Sequence, residues 1–204
     1  MLKGDRIAYR LDPDSALAPA ERLYIRPFRA QDIARLRKSG AASVDLRLGT
    51  WFLALRRDRV EVLRAAKASL ESHMARSTYV PFGSSYCLHP RTFALGTTLE
   101  WLRLPGTLSA YVIGKSSWGR RGLIIATATA VHPGFAGCLT LELSNVGETP
   151  VVLEPGMSIC QICLHELETD VPQAEHESTY AGRRKPVIGN ITRDDVAKAL
   201  SGSV

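Results

Sequence analysis

The chain has 204 residues, of which 45% are hydrophobic and 23% charged, and folded-surface scaling predicts that about 70% of the unfolded surface is buried. This composition excludes a wholly disordered or fibrous protein. The net charge of +6 is unevenly distributed: residues 1–121 contain 21 Lys/Arg and 10 Asp/Glu, residues 122–182 contain no Lys or Arg and 8 Asp/Glu, and residues 183–204 contain 5 and 2. A polyanionic ligand, nucleotide or nucleic acid, explains the excess, and so does a solvated basic surface.

The N-terminal segment, residues 1–18, is too charged for a signal-peptide core, so we expect a cytoplasmic protein. Four cysteines, at 87, 138, 160 and 163, are too few for a disulfide scaffold. Cys160 and Cys163 have the spacing of a zinc knuckle, but the second ligand pair of a structural zinc site is missing. We therefore expect both to be strand residues on opposite faces.

The N-terminal part, residues 1–77, mixes short helical patterns with one strand. The first segment, AERLYIRPF, is predicted to be a turn or edge segment broken by Pro27, and the next, AQDIARLRKSG, a helix ended by Gly40. The run SVDLRLGTWFLAL then alternates like a strand. Residues 56–77 are predicted to form an amphipathic helix or a long surface excursion.

Residues 78–168 consist of short β-rich runs separated by Gly and Pro turns, which predicts an antiparallel barrel or jelly roll. The predicted strand-bearing segments are YVPF, YCLHP, TFALGTTLEWLRLP, LSAYVIG, GLIIATATAVHPG, CLTLELSNVG, PVVLEPG and SICQICLHEL. Residues 169–204 form a polar tail with a short helix near its end, where Thr192 and Asp195 resemble a capping box. We treat residues 1–204 as a single domain with these three parts.

The common catalytic motifs are missing: the chain has no HExxH, no zinc-deaminase signature, no GxSxG elbow and no Walker A loop. One dense polar patch remains, from Gly114 to Gly122, with the sequence GKSSWGRRG. Its donors, positive charge and glycines are what a phosphate cradle requires, although a basic surface turn has the same composition.

A second candidate is Glu142, in the alternating run CLTLELSN. On a strand, Glu142 lies opposite the face of Leu139, Leu141 and Leu143. This pattern suits a catalytic carboxylate, and it equally suits a solvent-exposed glutamate on the outer face of the strand.

Three stretches, SVDLRLG (43–49), residues 86–123 and residues 132–162, resemble the dCTP deaminase branch of the dUTP diphosphatase superfamily. The likeness covers most of residues 20–168. Its most specific pieces are G-[RK]-S-S-x-x-R, here Gly114 to Arg120, and P-G-[FW]-x-G-x-[IL]-T-L-E, here Pro133 to Glu142.

The resemblance implies a mainly β fold, a distorted antiparallel β-barrel or jelly roll with a few short helices, assembled as a homotrimer with sites at subunit interfaces. It also implies deamination of dCTP to dUTP and ammonia without zinc or other metal ligands, with Mg²⁺ accompanying the triphosphate. Glu142 matches the general base, Ser116 the hydroxyl that holds the attacking water, and Arg120 the arginine that stabilises developing charge.

The resemblance further implies a substrate-binding set. Ser117 and Lys115 match phosphate-binding positions, and Phe135 takes an aromatic place near the sugar. The full set is Lys115, Ser117, Arg121, Thr129, Ala130, His132, Phe135, Tyr180, Arg183, Arg184 and Lys185. The partners expected are dCTP, with dUTP or dTTP as further ligands, and copies of the chain itself, rather than a membrane or nucleic acid.

The chain departs from the family pattern at three places. The turn from Ala126 to Gly134 is one residue shorter, and His132 stands where the family has an aspartate. Thr179 replaces the lysine of the tail motif, although Arg183, Arg184 and Lys185 follow it. Lys115 replaces a common arginine, which exchanges a bidentate fork for a point charge.

These departures leave alternatives open beside deamination. The first is a dUTP diphosphatase-like hydrolase, which His132 disfavours because the aspartate activates water there. The second is a non-catalytic nucleotide sensor or regulatory protein on the same fold, and the third is a nucleic-acid-binding module.

Overall fold

The structure, a computed structural model, describes residues 1–55, 75–126, 130–168 and 181–189. The N-terminal elements are α1 (Gly4–Leu11), a 3₁₀ turn (Pro19–Glu21), β1 (Tyr24–Arg26), α2 (Ala30–Ser39), β2 (Val44–Arg47) and β3 (Trp51–Leu55). The remaining elements are β4 (Ala75–Tyr79), β5 (Tyr86–Leu88), β6 (Phe93–Arg103), β7 (Leu108–Gly114), α3 (Ser116–Gly119), β8 (Leu123–Ile125), β9 (Ala130–Val131), β10 (Ala136–Asn145), β11 (Val151–Leu153) and β12 (Ser158–Glu166). The prediction of a mainly β, antiparallel fold is confirmed.

The described strands form three sheets. The largest runs β4-β3-β6-β10-β8, with β1 paired to the far end of β6. A four-stranded sheet runs β2-β12-β7-β9, and β11 pairs with β5. All pairings are antiparallel, and the register between β10 and β6 shifts between Cys138 and Thr140, which marks a bulge.

Strand β10 has the alternation that its sequence predicts. Leu139, Leu141 and Leu143 are buried in the core, whereas Thr140 and Glu142 are half-buried on the opposite face. Each fully buried leucine contributes about 1.5–3 kcal/mol of hydrophobic stabilisation. The core leucines therefore fix the orientation of β10 and keep Glu142 on the outer face of the six-stranded sheet.

Helix α2 matches the predicted segment and ends at Gly40, whose φ of 60° is the left-handed cap that glycine favours. Helix α1 was not predicted, although Ile7, Ala8 and Leu11 lie at helical spacing. Ile7 and Ala8 are fully buried. Within the described ranges, the helices are all too short or too polar to cross a membrane.

Two predictions for residues 43–77 are wrong. The predicted single strand SVDLRLGTWFLAL is two strands, β2 and β3, which belong to different sheets. The chain turns at Gly49, whose N–H donates to the carbonyl of Thr97 at 2.7 Å, and a Cβ there would lie 2.8 Å from the Thr97 hydroxyl. Residues 75–77, the end of the segment predicted as an amphipathic helix or a long surface excursion, lie in β4 because they pair with β3. The rest of that predicted segment, residues 56–74, lies outside the described residues.

Smaller differences occur in the β region. Of the predicted strand segment YVPF, only Tyr79 lies in a strand, as the last residue of β4. Val80 and the proline after it lie outside the strand. GLIIATATAVHPG contributes two short strands, β8 and β9, to different sheets. The predicted capping box near the end of the tail lies outside the described residues.

Candidate active site

The polar patch begins where β7 ends and continues through α3. The main-chain N–H of Lys115 donates to the carbonyl of Ile159 at 3.2 Å, which extends the pairing of β7 with β12 by one residue. The indole Nε1 of Trp118 donates to the carbonyl of Ser158 at 3.1 Å. Both ends of the first helical turn are therefore attached to the start of β12.

The side chain of Lys115 is held by two groups. Its Nζ donates to Oδ2 of Asp45 at 2.6 Å and to Oγ of Ser158 at 3.1 Å. Nε2 of Gln161 donates to the other oxygen, Oδ1 of Asp45, at 3.1 Å. Partial burial acts to raise the pKa of Asp45, but the hydrogen bonds from Lys115 and Gln161 outweigh it and hold that pKa below its ordinary value.

The other residues of the patch face solvent. Ser116, Ser117, Arg120 and Arg121 are exposed. Arg121 donates from Nη1 to the carbonyl of Ser117 at 2.9 Å and so folds back over α3. Within the described ranges, the side chains of Ser116 and Arg120 have no ion pair or side-chain hydrogen bond, which leaves the hydroxyl and the guanidinium open to a ligand.

A tight turn follows α3 at Gly122, where φ is 84°. A Cβ at this position would lie 2.7 Å from the nitrogen of Gly147 and 2.8 Å from its Cα. The turn is paired on that side, because the N–H of Val146 donates to the carbonyl of Gly122 at 2.9 Å. Glycine is therefore required both for the backbone angle and for the close approach.

Glu142 lies in the middle of β10, opposite Leu95 of β6. On its other side, the N–H of Ala126 donates to the Glu142 carbonyl at 3.0 Å, which continues the pairing with β8. Strand β8 also packs against α3. One short strand therefore connects the polar patch with the glutamate strand. In the described parts of the chain, the Glu142 carboxylate takes part in no ion pair.

The shortened turn before β10 lies partly in the other large sheet. Ala130 and Val131 form β9 and pair with Tyr111 and Ala110 of β7. His132 follows and is exposed. Phe135 belongs to the hydrophobic core, with only 8% of its surface exposed. Thr129, another predicted binding residue, lies outside the described residues.

The tail segment 181–189 contacts the six-stranded sheet at the start of β10. The N–H of Gly182 donates to the carbonyl of Ala136 at 2.7 Å, and the N–H of Cys138 donates to the carbonyl of Arg183 at 2.9 Å. These two bonds align the tail with β10 like an added strand. Tyr180 lies outside the described residues.

The tail cations rest on two tryptophans. The guanidinium of Arg184 lies 4.8 Å from the ring centre of Trp101, and Nζ of Lys185 lies 3.9 Å from that of Trp51. Trp101 pairs with Cys138 on the outer face of the sheet, the same face of β10 that carries Glu142. Two of the predicted tail residues thus lie on the sheet face of the proposed base.

Sequence reasoning missed Asp45, Ser158, Gln161 and the two tryptophans. The sequence pattern could have indicated Asp45, because it is a charged residue at the exposed position between the apolar, buried Val44 and Leu46. No sequence pattern indicated the two tryptophans, since their contacts with the tail depend on how the sheet is assembled.

The cysteines act as strand residues. Cys160 is fully buried in β12 and Cys163 is half-buried in the same strand, and both are free thiols. Burial, with smaller contributions from the charges of Glu100 and Asp45, raises the pKa of Cys160 to about 12. Across residues 1–55, 75–126, 130–168 and 181–189, no group of three or more His, Cys, Asp or Glu side chains could hold a metal ion.

Comparisons with known proteins agree on one family. The family model described as DCD, dCTP deaminase-like, matches residues 15–167. The dCTP deaminase of Natronomonas pharaonis is 41% identical over 157 residues, which cover 75% of this chain and 80% of that protein. The protein of Dictyoglomus turgidum named dCTP deaminase, dUMP-forming, is 38% identical over 161 residues, which cover 77% of this chain and 82% of that protein.

A solved structure shares the fold. The crystal structure of 2'-deoxycytidine 5'-triphosphate deaminase from Agrobacterium tumefaciens superposes with a TM-score of 0.52 at 24% sequence identity. The match covers 73% of this chain and 43% of that chain, so the present chain spans less than half the length of that neighbour.

Proposed function

The chain belongs to the dCTP deaminase-like family, and on that premise we propose that it deaminates a deoxycytidine nucleotide, dCTP, by hydrolysis. Water adds to C4 of the cytosine ring, the bond from C4 to the exocyclic nitrogen breaks, and the products are dUTP and ammonia. The observation that carries this proposal is the Glu142 carboxylate, half-buried on the outer face of β10 with no ion pair among the described residues.

In the proposed mechanism, Glu142 removes a proton from the attacking water as the C4–O bond forms. It delivers that proton to N3 of the ring, and the second proton of the water passes to the departing amine. Each general acid-base step of this kind contributes a factor of about 10² to 10⁴ in rate. A half-buried carboxylate suits the role, because it lies on a sheet face where a bound water and a nucleotide can reach it.

The neighbouring residues have supporting roles in this proposal. The exposed Ser116 hydroxyl holds the attacking water, and the guanidinium of Arg120 stabilises the negative charge that develops on the ring. Ser117, Lys115 and Arg121 bind the phosphates together with Arg183, Arg184 and Lys185 of the tail. The Mg²⁺ ion enters as part of the substrate, on the triphosphate.

We also propose a homotrimer, because outer strand faces of the single subunit expose large apolar side chains. Tyr111 and Ile113 of β7 are 47% and 45% exposed, and Phe93 and Ile124 are each 41% exposed. Exposed apolar surface of this kind is typical of a subunit interface. Multi-angle light scattering is expected to return three times the chain mass of 22.3 kDa, and a monomer would contradict the assembly.

The activity is tested with a substrate panel. Purified protein is incubated with dCTP, dCMP and CTP in the presence of Mg²⁺, and ammonia release is measured alongside chromatography of the nucleotides. We expect ammonia and dUTP in equal amounts from dCTP. Release of ammonia from none of the three would overturn the proposal and leave the nucleotide-sensor alternative.

A second candidate function is hydrolysis onward to dUMP. The observation that favours it is the description of several relatives as dUMP-forming. His132 disfavours it, because His132 occupies the position of the family's aspartate, the residue that activates water for attack at phosphorus. Pyrophosphate appearing in step with ammonia would support this second function, and dUTP accumulating without pyrophosphate would exclude it.

A further inference from the structure

Lys115 is attached to its own chain before any nucleotide arrives. Its ammonium donates to Asp45 at 2.6 Å and to Ser158 at 3.1 Å. An ammonium has three N–H donors, so among the residues that the structure describes these two contacts leave one. The Lys115 side chain is 25% exposed, and the remaining N–H is therefore the one available to a ligand.

The anchoring groups are themselves fixed. Gln161 donates to the second oxygen of Asp45 at 3.1 Å, so both carboxylate oxygens are used. Ser158 also accepts the indole N–H of Trp118 on its carbonyl at 3.1 Å. Strand β12 thus holds both the ammonium and the helical turn that carries Ser116 and Ser117, and β2, which pairs with β12, supplies Asp45 to the ammonium.

From this arrangement we propose that Asp45 is a positioning residue: with Ser158, it aims the third N–H of Lys115 at a phosphate oxygen of the nucleotide. The inference rests on the proposed function, in which Lys115 binds phosphate. The pair between Asp45 and Lys115 is partly exposed, with 49% and 25% of the two side chains accessible, and exposed pairs contribute little to stability. The main effect of the pair is therefore to fix the position of the Lys115 ammonium.

A competing effect has the opposite sign. Asp45 is an anion next to a phosphate-binding cation, so its charge alone weakens phosphate binding, and removing it would strengthen binding. Positioning outweighs this repulsion in our account because a freed lysine side chain must give up rotamer entropy again when it binds the ligand. The two effects are separated by a variant that disturbs the geometry without changing the charge.

The experiment measures binding of inorganic tripolyphosphate with Mg²⁺, and of deoxycytidine, by calorimetry on the full chain. Asp45→Asn is expected to weaken tripolyphosphate binding about tenfold, the loss of one well-aimed charge-assisted hydrogen bond. Ser158→Ala, which leaves the charge unchanged, is expected to weaken it about threefold. Deoxycytidine binding stays unchanged in both, and Glu166→Gln, a carboxylate at the far end of β12, serves as the control.

A double-mutant cycle tests whether Asp45 acts through Lys115. In a Lys115→Gln background, Asp45→Asn is expected to add less than about twofold. Three results would each overturn the inference. The first is tighter or unchanged tripolyphosphate binding in Asp45→Asn, and the second is unchanged tripolyphosphate binding in Ser158→Ala. The third is a double variant whose loss of binding equals the sum of the two single losses. If Asp45→Asn does not fold, Ser158→Ala decides. Tripolyphosphate binding is measured without turnover. A protein that releases no ammonia would therefore refute the proposed function, and the binding experiment would still decide whether Asp45 positions Lys115.

Discussion

Arg47 and Glu100 join the two larger sheets through two hydrogen bonds. The main-chain N–H of Arg47 on β2 donates to Oε2 of Glu100 on β6 at 2.8 Å, and Nη1 of Arg47 donates to Oε1 at 2.9 Å. The Glu100 side chain has no exposed surface. Since Asp45 lies two residues before Arg47 on the same strand, this clamp also fixes the strand that holds Lys115.

Replacing Glu100 by Gln is expected to destabilise the protein by about 2 kcal/mol, because one donor of Arg47 loses its acceptor in a buried place. This value is below that of a fully buried pair, since 35% of the Arg47 side chain is exposed. Urea denaturation measures it. The matched control is Glu166→Gln, which removes a surface pair with Arg10 and is expected to change the stability by less than about 1 kcal/mol.

The stability difference between wild type and Glu100→Gln is expected to depend on pH. Burial raises the pKa of Glu100 above its ordinary value of 4.5, against the opposing hydrogen bonds and charge of Arg47. The folded protein therefore binds this proton more tightly than the unfolded chain. The stability that this group contributes is complete below pH 4.5 and is lost as the pH rises through the raised pKa. A difference that grows with pH instead would show that the charge of Arg47 outweighs burial.

Gly122→Ala tests the turn after α3, and Gly83→Ala is its matched control. The two glycines have φ angles of 84° and 85°, so both substitutions carry the same left-handed strain of about 1 kcal/mol. Only Gly122 has backbone atoms within 3 Å of the added Cβ, whereas Gly83 has open space. We expect Gly122→Ala to destabilise by about 3 kcal/mol and Gly83→Ala by about 1 kcal/mol. Equal losses would contradict the close approach to Gly147.

The contacts of the tail cations are tested by hydrogen exchange. Replacing Arg184 and Lys185 together by Gln removes both tryptophan contacts, each of which contributes about 0.5–1 kcal/mol. The amides of Gly182 and Cys138, which bond between the tail and β10, are then expected to exchange about tenfold faster. Lys38→Gln, at the end of α2, is the control. Unchanged exchange at both amides would show that the backbone bonds alone hold the tail.

The sequence was most informative where local patterns determine the structure. The apolar face of α2 and the glycine after it predicted a helix of the right length. Alternating leucines placed Glu142 on the outer face of β10, and the run from Gly114 to Gly122 marked the patch around α3. In each case the deciding interactions lie within about one turn or one strand.

Features that depend on distant parts of the chain were not predictable. The alternation of SVDLRLGTWFLAL continues through the corner at Gly49 because Leu48 and Phe52 are buried in the same core, so the pattern gives no sign that the strand changes sheets. The partner of Lys115 is 70 residues away in the chain. Without the sheet order, nothing in the sequence pairs Asp45 with Lys115 rather than with another cation.

The central claim, that Glu142 is the base of a deamination, is tested most directly by Glu142→Gln, with Glu148→Gln, an exposed carboxylate on the following turn, as the control. The measurements are kcat from ammonia release and the affinity for dCTP from calorimetry. We expect kcat to fall by a factor of about 10³ or more while dCTP binding changes less than about threefold, because the amide keeps the shape but cannot accept a proton. A Glu142→Gln protein that releases ammonia from dCTP at the wild-type rate would contradict the claim.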